Sequence, residues 1–110
     1  MKMILAIVND DDCQKVMNDL SKKGIGVTKL CSSGGFLRSG NTTLMIGVNE
    51  DRLEEAIDLI KKNSKSRKQF VNASMIPNAM GGMFSAYPVE VTIGGATIFV
   101  LNVEDFNKFE

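Results

Sequence analysis

Apolar and polar positions follow two different periods along this chain, and the switches between them mark its elements. Met3 to Val8, MILAIV, is a short apolar run; after Asn9, residues Cys13, Val16, Met17 and Leu20 fall at i, i+3, i+4 and i+7, the spacing of one helical face. Forty positions later the pattern returns. The run TLMIGV starts at Thr43, Asn49 follows, and Leu53, Ala56, Ile57 and Ile60 repeat the helical spacing. Identities coincide at that offset, Val8 with Val48, Asn9 with Asn49, Asp11 with Asp51 and Lys22 with Lys62. Each copy predicts a strand, a capping Asn or Asp, and a helix that buries one stripe.

The remaining runs complete the expected order. GIGVTKLC, residues 24–31, reads as a strand after the first helix, and PVEVTI and ATIFVLNV flank Gly94-Gly95, which predicts a tight hairpin near the C-terminus. The order β-α-β, β-α-β is that of an α+β, ferredoxin-like split βαβ fold, with both helices on one face of an antiparallel sheet. With helices on one face only, the other should be polar. Met3 to Val8, and Leu44, Met45, Ile46 and Val48, are instead apolar on both sides. A second apolar face of that size predicts burial against other copies of the chain, a homo-oligomer.

Two connections stand out. SSGGFLRSGNTT, from Ser32 to Thr43, sets bulky Phe36 and Leu37 among glycines and short polar residues. Residues 64–87 form a connection longer than a compact domain usually tolerates without a purpose; Met75, Met80, Met83 and Phe84 suit either an adaptable output element or a solvated loop packed back on the domain.

Composition narrows the functional classes. At 110 residues the chain is one domain, 1–110, and its 13 basic and 13 acidic residues cancel, so anion recognition must be local and general nucleic-acid binding is not expected. Histidine is absent, which removes the commonest general base and transition-metal ligand, and neither a catalytic residue nor a metal site is expected. The first apolar run is too short to span a bilayer and carries no signal-peptide cleavage pattern, and the two cysteines, Cys13 and Cys31, form no CxxC pair. A cytoplasmic protein with no membrane partner and no disulfide is expected.

The local chemistry of the 32–41 loop suits a nucleotide. Gly34 and Gly35 permit a concave nest of backbone N–H groups, Arg38 and Lys29 can add charged hydrogen bonds to phosphate, and Thr42 is a further polar candidate. Phe36 can stack on a base, and Thr28 and Asn41 offer groups that read a base edge. The residues leave alternatives open: Phe36 as a core plug, Arg38 and Lys29 as solvated charges, Thr28 as an ordinary strand residue, Gly47 as a bulge. Asp10, Asp11 and Asp12 have the composition of a metal cluster, but at a helix start they are better explained by capping and by the helix dipole. Cys31, with no histidine to activate it, reads as a buried thiol.

MKMILAIV at the start, TKL-x3-GGFLR-x-GNTT from Thr28, GVNEDR from Gly47 and YPVEVTIGGATIFVL from Tyr87 together resemble the PII-like cyclic-di-AMP receptor family of Gram-positive bacteria, over nearly the whole chain. The resemblance implies a PII-like sandwich, a homotrimer, and cyclic di-AMP in clefts between neighbouring subunits. It implies that Phe36 stacks on adenine, that Gly35 and Leu37 contribute backbone contacts, and that Thr28 and Asn41 make polar contacts. By the same resemblance Gly47 lies where the third strand approaches the ligand, and Phe99 lines the cleft. Members often carry a basic residue where this chain has Gly26. The implied function is a non-enzymatic sensor, with no cofactor beyond its ligand, that changes loop conformation to regulate an unidentified protein partner. An ATP-binding PII-type regulator and an enzyme acting on nucleotides are the alternatives.

Overall fold

The computed structural model of the chain describes residues 1–30, 40–72 and 88–110. Strand β1, Lys2–Asn9, runs directly into helix α1, Asp10–Lys22, and is followed by β2, Val27–Leu30, and β3, Asn41–Val48. A 3-10 turn, Glu50–Arg52, leads into α2, Leu53–Asn63; β4, Arg67–Asn72, β5, Pro88–Ile93, and β6, Ala96–Asn102, complete the order. The fold is α+β. One antiparallel sheet has the order β2-β3-β1-β6, and β4 and β5 form a separate two-stranded antiparallel ribbon.

The forty-residue repeat is the skeleton of the core. Ile4, Ala6 and Val8 of β1 and their counterparts Leu44, Ile46 and Val48 of β3 are buried beneath Cys13, Val16 and Leu20 of α1 and Ala56 and Ile60 of α2. Alternation along the strands assigns these even positions to the helix side. Each fully buried aliphatic side chain stabilises the fold by about 1.5 to 3 kcal/mol.

The two copies diverge at the helix start. Asn9 Oδ1 accepts the backbone N–H of Asp11 at 2.9 Å, and α1 begins at once. Asn49 makes no such bond, and the 3-10 turn takes up the slack before α2. The helices are tied crosswise: Arg52 Nη2 donates to the Lys23 carbonyl at 2.7 Å, and Asn63 Nδ2 to Asp19 Oδ2 at 2.9 Å.

Two expectations need correction. Gly94-Gly95 is not a hairpin turn: β5 pairs with β4 and β6 pairs with β1, so the glycines form an elbow between two sheets. Both have positive φ, +85° and +80°, and a Cβ on Gly94 would lie 2.7 Å from both the Lys65 carbonyl oxygen and Arg67 Nη1. The Gly95 N–H donates to the Ser64 carbonyl. That packing carries β5 away from β6 and onto β4. Nor do residues 64–87 form one long loop, since 67–72 are a strand; their charged residues conceal a partner for the β-branched Val89, Val91 and Ile93. The rest of that segment, 73–87, lies outside the described residues.

Candidate functional site

The face of the four-stranded sheet away from the helices is set by the odd positions of β1 and β3. In the observed register Thr28, Met45, Leu5 and Phe99 form one row across all four strands. Leu30, Thr43, Ile7 and Thr97 form the row on one side of it, and Gly47, Met3 and Leu101 the row on the other. No described helix covers these rows. Phe99 and Leu101 are 43% and 44% exposed, and a shallow depression of about 470 Å³ is lined by Leu5, Ile7, Thr43, Phe99, Val100 and Leu101.

Four sequence-predicted residues lie on this face, at its margins. Thr28 is on the β2 edge and Phe99 on the β6 edge, three strand spacings or about 14 Å apart. Asn41 and Gly47 stand at opposite ends of β3, about 20 Å apart along the strand. Gly47 is exposed, with nothing within 4 Å of where a Cβ would stand. Gly26 is equally open, so glycine there is no steric requirement of the chain.

Strand alternation sends two further candidates elsewhere. Lys29 pairs with Leu44 and so belongs to the helix side of the exposed β2 edge. Thr42 is 9% exposed on that side, and its hydroxyl donates to the Asp10 carboxylate. Gly35, Phe36, Leu37 and Arg38 fall within 31–39, outside the described residues.

Two described carboxylates near the β3 start, Asp10 and Asp12, are engaged. Besides Thr42, Asp10 is held through its backbone, its N–H donating to the Gly40 carbonyl at 2.8 Å. Asp12, with a side chain 10% exposed, meets Arg67 as a fork, Nη2 at 3.0 Å from Oδ1 and Nη1 at 3.2 Å from Oδ2. Hydrogen bonding to Asp12 raises the Arg67 guanidinium above its already high ordinary value. Sequence reasoning assigned Asp12 to the helix dipole and missed Arg67; the residues lie 55 positions apart, and the pair becomes visible once β4 is recognised. Among the described residues, no three His, Cys, Asp or Glu side chains form a group that could hold a metal ion, and no helix is long and apolar enough to cross a membrane.

Comparison with known proteins bears on what this face serves. The chain is similar to the solved crystal structure of a functionally unknown protein from Pediococcus pentosaceus ATCC 25745, at 39% identity and a TM-score of 0.74 over 98% of this chain and 96% of that one. A family profile described as Cyclic-di-AMP receptor matches residues 1–109, in agreement with the resemblance carried by the GGFLR-x-GNTT block.

Proposed function

Because the chain belongs to the cyclic-di-AMP receptor family, we propose that it is a PII-like signal-transduction protein that binds cyclic di-AMP without turning it over. It acts in the cytoplasm as a homotrimer, with one ligand in each cleft between neighbouring copies, and its occupancy regulates a protein partner. The observation that carries this reading is the apolar face that no described helix covers, with Thr28, Asn41, Gly47 and Phe99 at its margins. Met3, Leu5, Ile7, Met45 and Leu101 supply the surface that copies would bury against one another. Candidates at the edges of that surface suit a ligand seated where copies meet. The strand order β2-β3-β1-β6, with both helices on one side, fits a ferredoxin-like arrangement.

Within the cleft Phe36 stacks on one adenine, Gly35 and Leu37 present backbone groups, and Arg38 adds charge for phosphate. Thr28 and Asn41 make polar contacts, Gly47 lets β3 approach the ligand, and Phe99 lines the wall. Lys29 and Thr42 are given no ligand contact, because both belong to the helix side.

Calorimetric titration of cyclic di-AMP into the purified protein tests this, with cyclic di-GMP and ATP as competitors. One site per subunit is expected, with selectivity for cyclic di-AMP and an affinity weakened about tenfold or more in Phe36→Ala, the scale of a lost base–aromatic stack. Absence of binding by calorimetry and by a second, heat-independent method overturns the assignment. Displacement by ATP at equal concentration instead makes the protein a mononucleotide sensor.

A further inference from the structure

We propose that the first turn of α1 couples the Gly40–Thr42 end of the ligand site to the β4–β5 ribbon, Asp10 gripping the one and Asp12 the other. The coupling rests on the cyclic-di-AMP reading for its purpose, and on hydrogen bonds for its mechanism.

Both grips are present in the structure. On one side the Asp10 N–H and carboxylate close on the Gly40 carbonyl and the Thr42 hydroxyl, which bracket Asn41, a proposed ligand contact. On the other, two positions along the same helical turn, Asp12 holds both terminal nitrogens of Arg67, the first residue of β4. Each of the two carboxylates has a protein partner, so this acidic turn acts as a bracket and is not a vacant cation site.

Among the described residues the ribbon's strands pack chiefly on each other, and its foot is hydrogen-bonded to the body. One such bond runs from the Gly95 N–H to the Ser64 carbonyl, and another tie is the Asp12–Arg67 fork. The fork is closely fitted, because Arg67 Nη1 also donates to the Lys65 carbonyl at 3.2 Å and abuts the bare face of Gly94. A shift of Asp12 therefore either carries the foot of the ribbon with it or breaks a charge-assisted fork. Ligand contact at Asn41 favours one setting of Gly40–Thr42, that setting fixes Asp10, and the rigid helical turn passes it to Asp12. Linkage makes the effect reciprocal: loosening the ribbon's foot must weaken the ligand.

Hydrogen exchange at the amides of residues 69–71 and 89–91 tests the coupling on the intact chain. In wild type, saturating cyclic di-AMP is expected to slow exchange there about fivefold or more. In Arg67→Gln that response disappears and cyclic di-AMP binds about fivefold more weakly, while Arg67→Lys, which keeps the charge and loses the fork, falls between. A ligand-free arm uses Thr42→Val, an isosteric change that removes one Asp10 grip and is expected to speed exchange in the ribbon. Wild-type behaviour of Arg67→Gln in both affinity and ribbon response overturns the coupling, as does a ribbon unchanged by Thr42→Val. If Thr42→Val speeds ribbon exchange while wild type fails to bind cyclic di-AMP, the coupling stands and the ligand assignment falls.

Discussion

Gly47 is a residue that a single copy of the chain gives no steric reason to keep. Its φ is not in the left-handed region and a Cβ would meet nothing, so Gly47→Ala leaves the isolated fold undisturbed. The expected result is an unfolding free energy within about 0.5 kcal/mol of wild type, together with weakened cyclic di-AMP binding or assembly. Asn9 is the opposite case, since its side chain serves the fold by capping α1. Asn9→Ala should cost about 1 kcal/mol in denaturant unfolding. In the first turn of α2, hydrogen bonding from Arg52 holds the Glu55 carboxyl below the usual carboxylate range. A depressed folded-state value means the contribution is present above the ordinary carboxylate pKa and is lost as pH falls through the folded one. The melting-temperature difference between wild type and Glu55→Gln should therefore be small at neutral pH and vanish in acid, as this exposed pair is screened.

At the scale of elements, what could be read beforehand was what local pattern determines. The forty-residue offset predicted both strand–helix units because one burial stripe repeats: Ile4, Ala6, Val8, Val16 and Leu20 correspond position by position to Leu44, Ile46, Val48, Ala56 and Ile60. Thr28, Asn41, Gly47 and Phe99 of the candidate site were also recognisable, from a motif, but their shared face needed the register. The Gly-Gly turn misled because two glycines with positive φ serve a hairpin and an inter-sheet elbow equally well. The deciding contact, Gly94 against Lys65 and Arg67, joins residues nearly thirty positions apart. Strand β4 was hidden for a related reason: a ribbon outside the main sheet needs no strict apolar alternation, and Phe70 is 68% exposed. Gly94→Ala tests the elbow. Strain at φ +85° and the 2.7 Å clashes predict a loss of about 1 to 3 kcal/mol in chemical unfolding, with faster exchange in β4 and β5 before the central strands.

For the whole molecule, the sheet face that no described helix covers predicts assembly. Leu5 sits at its centre, between Met45 and Phe99, and points away from the helix core. Leu5→Lys should thus convert the assembled protein to a smaller species in sedimentation while the far-ultraviolet circular dichroism of the fold survives; a wild-type chain that sediments as a monomer at micromolar concentration sinks the oligomer reading. The position of β1 has a further result, one of timing. This first strand lies between β3 and β6, and its ladder joins Lys2 to Asn102. During synthesis one edge of β1 must wait for Ala96–Asn102, up to 100 positions later, to leave the ribosome. Until then the nascent chain shows an open strand edge rich in Met, Ile and Leu. Such long sequence separation slows folding and lengthens exposure to mispairing, so a stalled chain ending before Ala96 should remain protease-sensitive and hold chaperones until β6 emerges.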